Sequence, residues 1–118
     1  MTGRGMNKRE TGSRYEDAAV AYVEALGYHI LERNYRDRYG EIDIIARDGS
    51  YVVFLEVKYR RDEGLGYPEE AVDKRKQQRI RHTASFYLYR SGLGEETPCR
   101  FDVVSIMGNK IKVIQNAF

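Results

Sequence analysis

The residues of this chain best suited to chemistry lie in two short segments. Gly40-Glu41-Ile42-Asp43-Ile44 carries two carboxylates, and Leu55-Glu56-Val57-Lys58 carries a third carboxylate beside an ammonium. Carboxylates that are brought close together repel one another unless a cation joins them or the pKa of one is raised. Carboxylate oxygens are also the ligands that Mg²⁺ prefers. The residue types therefore indicate a divalent-metal site with a lysine beside it.

A hairpin turn predicted at Asp48-Gly49 would bring the two segments together. Asp-Gly is a strong signal for a two-residue turn. Such a turn pairs Arg47 with Ser50, and it sets Asp43 opposite Phe54 and Glu41 opposite Glu56. Side chains alternate between the two faces of a strand, so the register also decides which residues share a face. It places three charged side chains on one face: Asp43, Glu56 and Lys58.

A simple surface role is the alternative interpretation, because charged strand residues usually face solvent. The neighbouring positions argue against it, since both faces of the hairpin are apolar near the turn. The apolar positions are Ile45, Val52 and Phe54 on one face, and Ile42, Ile44, Val53, Leu55 and Val57 on the other. Charges that enter a doubly buried sheet are unfavourable unless they are paired or bind a metal. The burial pattern therefore favours a site.

Length and composition limit the broad class of the protein. With 118 residues, the chain can form one domain with a core of moderate size. The net charge of +2 is too small to imply a nucleic-acid partner by itself. The single Cys99 excludes an internal disulfide and suits a reducing compartment. Because neither a secretory h-region nor an apolar run of membrane-spanning length is apparent, we predict a cytoplasmic protein without a membrane partner.

The periodicity of apolar residues predicts the elements that position the charged residues. Residues 1–10 are predicted to be a disordered lead-in, and residues 11–118 a single domain. Crossover rules then favour a mixed sheet with a helix on each side, an α/β architecture of order αβββαββ. The predicted elements are a helix from Ser13 to Leu26, strands over 28–35, 41–47 and 50–59, a loop over 60–67, a helix from Pro68 to Arg90 and strands over 101–107 and 110–115.

The second predicted helix contains the most basic stretch of the chain. Six Lys or Arg residues and no Asp or Glu lie between Lys74 and Arg90. Arg75, Arg79 and His82 share one helix face. This face is either solvated without a partner or a DNA-binding surface that acts by counterion release.

Two further basic residues lie near the charged hairpin. Lys76 falls on the apolar stripe of the second helix, so it either extends from the edge of the core towards solvent or points at a substrate phosphate. Arg60 lies just beyond Lys58 and is the better candidate for a phosphate contact. His29 and His82 have no partner at metal-ligand spacing, so zinc is not predicted.

The order of the motifs, from Gly12 to about Val113, resembles that of a known family. The matching stretches are residues 12–19, 27–36, 40–46, 53–60, 68–72 and 100–104. On these stretches the chain resembles the YraN family of small bacterial proteins, a branch of the restriction-endonuclease-like PD-(D/E)xK superfamily. The superfamily core, a helix, three strands, a helix and a strand, agrees with the order predicted from periodicity.

The resemblance implies a magnesium-dependent phosphodiesterase that acts on DNA. By resemblance, Asp43 matches the superfamily aspartate, while Glu56 and Lys58 match the acid and the lysine of (D/E)xK. Glu16 matches an acid on the first helix of archaeal-type Holliday junction resolvases. The alternative for Glu16 is an acid that faces the positive end of the helix dipole. Ile42 stands where many superfamily members have proline.

The predicted chemistry is hydrolysis of a phosphodiester bond. Asp43, Glu56 and the carbonyl of Val57 would hold Mg²⁺ or Mn²⁺, and Lys58 would orient or deprotonate the attacking water or stabilise the transition state. We therefore predict a metal-dependent DNA endonuclease, selective for branched or single-stranded DNA. The alternatives are a catalytically inactive nucleic-acid-binding or assembly module on a nuclease fold, and a plain interaction protein. The oligomeric state stays open, with a homodimer as one option.

Overall fold

Five strands form one mixed sheet, and a helix packs on each of its faces. The computed structural model describes residues 8–60 and 72–118. The predicted class, α/β with the order αβββαββ, is confirmed, and it is compatible with a restriction-endonuclease-like core. The elements are α1 (Lys8–Ala25), β1 (His29–Arg36), β2 (Glu41–Asp48), β3 (Tyr51–Arg60), α2 (Lys74–Arg90), β4 (Cys99–Met107) and β5 (Lys110–Ile114).

The strands follow one another across the sheet in chain order, from β1 to β5. Neighbouring strands are antiparallel except for β3 and β4, which are parallel and are connected through α2. This crossover places α2 on one face of the sheet, and α1 covers the other. Coverage on both sides explains why the central strands are apolar at nearly every position. No helix within the described residues is long and apolar enough to cross a membrane.

Each helix encloses its own apolar core against the sheet. On the α2 side, Phe54 lies in an edge-on contact with Tyr87, with ring centroids 6.1 Å apart. On the α1 side, Val23 and Leu55 belong to a second buried cluster. Consecutive residues of β3 therefore pack into the two cores on opposite faces of the sheet, as the alternation of side chains requires.

Both helices begin at positions that differ from the predicted ones. Helix α1 starts at Lys8 rather than Ser13. Helix α2 starts at Lys74, because the Asp73 carboxylate accepts a hydrogen bond from the backbone N–H of Lys76 and caps the helix there. Residues 1–7 and the stretch 61–71, which includes the predicted start at Pro68 and most of the loop over 60–67, lie outside the described residues.

The register of the β2–β3 hairpin also differs from the prediction by one position. The turn residues are Gly49 and Ser50, so Asp48 pairs with Tyr51, whereas the prediction paired Arg47 with Ser50. Gly49 has φ +62°, which suits the first position of a two-residue hairpin turn. The turn lies one residue further along the chain than predicted, on both strands. The residues of β3 that share a face are therefore the same as in the prediction.

Candidate active site

The candidate site lies where β2 and β3 separate, on the side of the sheet that α2 covers. Paired residues run from the turn to Ile44 and Leu55, and Ile45 rather than Asp43 lies opposite Phe54. Beyond the pair of Ile44 and Leu55 the register of β2 with β3 ends, and the side chain of Asp43, rather than the β2 backbone, bonds to the backbone of β3. Its Oδ2 accepts a hydrogen bond of 2.8 Å from the backbone N–H of Val57.

A local distortion in β1 explains why Asp43 turns towards β3. Asn34 has φ +53°, a left-handed conformation that asparagine tolerates better than most residues. On one side of it, Arg33 binds Asp17 of α1 at 2.6 Å, and on the other side, Tyr35 packs against the α2 core. The chain therefore changes faces at Asn34, which the β1–β2 register places beside Asp43.

The same change of face occurs in β2. Ile44 belongs to the core on the α1 side, whereas Ile42 belongs to the core on the α2 side. Asp43 lies between these two residues, and its side chain belongs to neither core. Simple alternation of side chains thus fails at this residue, and its carboxylate points along the sheet towards β3.

Glu56 is the buried centre of the charged cluster, with only 4% of its surface exposed. The Nζ of Lys76 lies 2.5 Å from its Oε2, and the Nζ of Lys58 lies 3.8 Å from the same atom. Within the described residues, no donor is aligned for a hydrogen bond to this Oε2. The two lysines therefore stabilise the buried charge as ion-pair partners, since an isolated buried carboxylate would be strongly unfavourable.

The two carboxylates perturb each other. Burial, followed by a hydrogen bond and repulsion from Glu56, raises the pKa of Asp43 from 3.8 to about 8. The backbone N–H of Val57 and the charge of Glu16 act on Asp43 as well, in opposite directions. Asp43 therefore keeps a proton to higher pH than an ordinary carboxyl group, which is how two adjacent carboxyl groups avoid repulsion.

The two lysines are shifted in opposite directions. Burial, together with the neighbouring Lys76, lowers the pKa of Lys58. Burial also lowers the pKa of Lys76, but the close contact with Glu56 and the nearby charges outweigh it, so the net pKa is raised. Lys58 is thus the ammonium that gives up its proton more readily, and Lys76 is the fixed positive charge.

The donor atoms fit a hard divalent cation. Two features favour positive charge here: a buried Oε2 without an aligned hydrogen bond, and a neighbouring carboxyl group whose pKa is raised by burial and by Glu56. Over 8–60 and 72–118, no three His, Cys, Asp or Glu side chains are grouped as ligands of a metal ion. The side chains thus offer two carboxylates, and Mg²⁺ commonly binds to one or two carboxylates while it keeps several waters.

Comparison with known proteins agrees with the order of the motifs. A family model described as "Uncharacterised protein family UPF0102" matches residues 15–106. The chain belongs to this family. A UPF0102 protein of Lachnoclostridium phytofermentans is 52% identical over 113 residues, which cover 96% of each chain. One from Syntrophus aciditrophicus is 49% identical over 122 residues, 100% of this chain and 95% of the relative. One from Persephonella marina is 48% identical over 108 residues, 91% of each.

The expected resemblance to the YraN family is confirmed by these matches, because UPF0102 is that family. The matched range of this UPF0102 chain contains every charged residue of the cluster, from Glu16 on α1 to Lys76 on α2. The structure brings Asp43, Glu56 and Lys58 together, as predicted. Their catalytic and metal-binding roles stay predictions.

The remaining predicted site residues lie at different distances from this cluster. Glu16 is half-buried on α1, and its charge acts on Asp43. Arg60 is in phase with Lys58 on β3, and its buried Nε has no partner within the described residues. Arg75 and Arg79 are exposed on α2.

Glu41 is not part of the cluster. The predicted register placed it opposite Glu56, but it pairs with Arg36 of β1 and forms an exposed ion pair of 2.7 Å with that residue. The one-residue shift of the hairpin and the distortion at Asn34 together carry Glu41 away from Glu56. The predicted position of Glu41 opposite Glu56 was therefore wrong.

Sequence reasoning missed Arg38, which lies in the loop between β1 and β2. This residue lines an open cavity together with Arg79. The signal was present in the sequence, because Arg36 and Arg38 immediately precede the Gly40-Glu41 motif.

Asp102 has a structural role at the far end of the sheet. It is fully buried and accepts hydrogen bonds from the Tyr28 hydroxyl at 2.8 Å, from Arg100 at 2.9 Å and from the Asn116 backbone at 2.9 Å. Arg100 also binds Asp48, next to the hairpin turn, at 2.8 Å. Both oxygens of Asp102 are thus used to join the hairpin, β1 and the C-terminal segment.

Proposed function

We propose that this UPF0102 protein is a metal-dependent DNA endonuclease that hydrolyses phosphodiester bonds in branched or single-stranded DNA. The observation that carries the proposal is the buried pair of Asp43 and Glu56 with Lys58 beside it. Two carboxylates that share a proton in a buried position are well suited to a cation, and the lysine lies next to them. The resemblance to the PD-(D/E)xK superfamily assigns the same three residues to the reaction.

In the proposed reaction, Asp43, Glu56 and the carbonyl oxygen of Val57 would hold Mg²⁺ or Mn²⁺. Bound metal supplies a lower pKa for its water and compensates charge that develops on the phosphate oxygens. The lowered pKa of Lys58 suits it to accept a proton from the attacking water. The water oxygen would then bond to phosphorus as the bond from phosphorus to the leaving sugar oxygen breaks, and the leaving oxygen would take a proton from solvent water.

Lys76 and Glu16 have supporting roles in this proposal. Lys76 now supplies the positive charge beside Glu56, and its ammonium would be free to contact a substrate phosphate if Glu56 held a cation instead. Glu16 adds negative charge near Asp43 from the opposite layer and so favours a bound cation. Arg60, Arg75 and Arg79 contact the nucleic-acid backbone further out.

A second function is favoured by one observation, the close ion pair of Lys76 with Glu56. If this pair persists in the presence of Mg²⁺, the carboxylate is occupied by an ammonium and the site is inert. The protein is then a nucleic-acid-binding or assembly module on a nuclease fold. Such a module binds DNA with strong salt dependence and cleaves nothing.

The test is incubation of the purified protein with Mg²⁺ or Mn²⁺ and a panel of duplex, flapped, single-stranded and four-way-junction DNAs. The proposal expects cleavage of a branched or single-stranded member, and expects EDTA to abolish it. Salt-sensitive binding without cleavage under any of these conditions would support the inert module instead. The proposal also places the protein in the cytoplasm, and sedimentation would show whether it acts as a homodimer.

Divalent-cation binding should depend on both carboxylates and on pH. Asp43→Asn and Glu56→Gln should each abolish Mn²⁺ binding measured by calorimetry. Because Asp43 has a pKa of about 8, it must lose a proton to bind a cation, so wild-type affinity should rise as the pH increases from 6 towards about 8. Unchanged binding in both variants would place the cation elsewhere.

The same shifted pKa should appear in the stability of the metal-free protein. Asp43 keeps its proton in the folded state but loses it near pH 4 when unfolded, so the folded state binds more protons between these values. The free energy of unfolding should therefore fall as the pH rises from about 4 to about 8, and this contribution should be lost above that pH. Asp43→Asn should remove this part of the pH dependence in urea titrations.

Nucleic-acid binding should depend on the exposed face of α2. Replacing Arg75 and Arg79 by Ala should reduce the slope of log affinity against log salt, by about 0.7 to 0.9 for each lost phosphate contact. Arg47→Ala is the matched control, because Arg47 is exposed near the hairpin turn at the far end of β2. An unaltered slope in the α2 variants would mean that this face is only solvated.

A further inference from the structure

The loop between β1 and β2 is held in one conformation against α2. The Asp37 Oδ1 accepts hydrogen bonds from the backbone N–H groups of Tyr39 and Gly40, at 2.8 Å and 3.2 Å. The Thr83 hydroxyl of α2 donates to the same oxygen at 3.4 Å. The ring of Tyr39 stacks on His82 of α2 with centroids 3.8 Å apart. The loop and the helix are thus connected at two points.

This attachment brings two arginines together. The guanidinium of Arg38 lies 5.4 Å from the centre of the Tyr39 ring, so the stacked ring restrains it. Gly40 passes so close to α2 that an added Cβ would lie 3.3 Å from the Thr83 hydroxyl and 3.7 Å from the Cβ of Arg79. Arg38 of the loop and Arg79 of α2 border the same cavity.

The loop and α2 border an open cavity of about 350 Å³ with an uneven distribution of charge. Glu41 is neutralised by Arg36, and Asp37 uses Oδ1 for its own loop while its Oδ2 is inaccessible to a ligand. Within residues 8–60 and 72–118, no ion-pair partner is seen for Arg38 or Arg79. The lining residues are Arg36, Asp37, Arg38, Tyr39, Gly40, Glu41 and Arg79.

The cavity lies a few residues from the candidate active site along both α2 and β2. Arg79 follows Lys76 by three residues on α2, which corresponds to about 4.5 Å along the helix axis. Gly40 precedes Asp43 by three residues, at the start of β2. A chain of phosphates that crosses the active site can therefore continue into the cavity.

We propose that this cavity binds a backbone phosphate of the nucleic acid next to the phosphate that is cleaved, between Arg38 and Arg79. The inference rests on the proposed function and names a subsite for its substrate. Arginine suits this role, because its planar guanidinium donates parallel hydrogen bonds to two oxygens of one phosphate. Arg75 does not line the cavity and is outside this subsite.

The test measures binding of a labelled single-stranded oligonucleotide in EDTA, where cleavage cannot occur. Arg38→Ala and Arg79→Ala should each weaken binding and reduce the salt slope by about 0.7, the value for one single-strand contact. In the double variant, the loss should differ from the product of the single losses by more than about threefold, because both arginines contact one phosphate. The pair Arg38→Ala with Arg75→Ala is the matched control and should be multiplicative within about twofold.

The outcomes separate this inference from the endonuclease proposal. If Arg38→Ala binds like the Arg47→Ala control, or if Arg38 and Arg79 act independently, the subsite is wrong even when the wild type cleaves DNA. If the two arginines are coupled but the wild type cleaves nothing, the subsite stands as a binding site and the endonuclease proposal fails. Circular dichroism of each variant checks that the fold is retained.

Discussion

Lys58→Ala is expected to lower the rate of DNA cleavage by at least about 100-fold, because a positioned group that transfers a proton in the transition state contributes about 10² to 10⁴. The fold and the cation affinity should change little, since Lys58 is only partly buried and the proposed ligands remain. A group that acts mainly in the transition state affects the rate more than substrate binding. Single-turnover cleavage with Mg²⁺ or Mn²⁺, beside calorimetry, measures the two quantities separately.

Three further variants make this experiment specific. Lys110→Ala removes an exposed lysine from β5 and should cleave at the wild-type rate. Glu56→Gln should lose cation binding and cleavage together. Lys58→Arg keeps the positive charge but cannot accept a proton, so it restores the rate only if Lys58 acts as a fixed charge. Cleavage by Lys58→Ala at the wild-type rate would assign the activity to another site.

Asp102→Ala is expected to reduce the free energy of unfolding by about 3–5 kcal/mol, the usual effect of removing one partner of a buried ion pair. The Asp102 side chain is fully buried and that of Arg100 is 13% exposed, so solvent cannot replace the lost contacts. The hydroxyl of Tyr28 and the N–H of Asn116 would lose their acceptor as well. Urea titration followed by circular dichroism measures the change.

An exposed ion pair supplies the control for Asp102. Asp17→Ala removes the partner of Arg33 on the surface and should change the free energy of unfolding by less than about 1 kcal/mol. If Asp102→Ala does not fold, Tyr28→Phe still tests the network, because it removes one hydrogen bond and should reduce stability by about 1 kcal/mol. Equal effects of Asp102→Ala and Asp17→Ala would show that the buried network does not stabilise the fold.

The sequence was sufficient to predict the elements and the convergence of Asp43, Glu56 and Lys58, because apolar periodicity and a hairpin turn are local signals. The residues of the turn were wrong, since Asp-Gly and Gly-Ser both form two-residue turns and only pairing along the strands decides between them. The prediction that Glu56 and Lys58 share one face of the sheet still holds, because the turn moves by one residue along both strands.

Other features of the site depend on contacts between distant residues. The orientation of Asp43 depends on the left-handed Asn34 of a neighbouring strand, which strand alternation alone does not indicate. The ion pair of Lys76 with Glu56 depends on where α2 begins, and the cap at Asp73 decides that position. The bond between Tyr28 and Asp102 spans 74 residues, and no local pattern predicts it.

The most direct test of the metal centre is anomalous diffraction at the manganese edge from crystals soaked in Mn²⁺. The expected result is one strong peak within about 2.5 Å of a carboxylate oxygen from both Asp43 and Glu56, with the Lys76 ammonium moved away from Glu56. A peak elsewhere, or an absence of any peak with Lys76 still paired to Glu56, would contradict a metal-dependent nuclease centre at these residues.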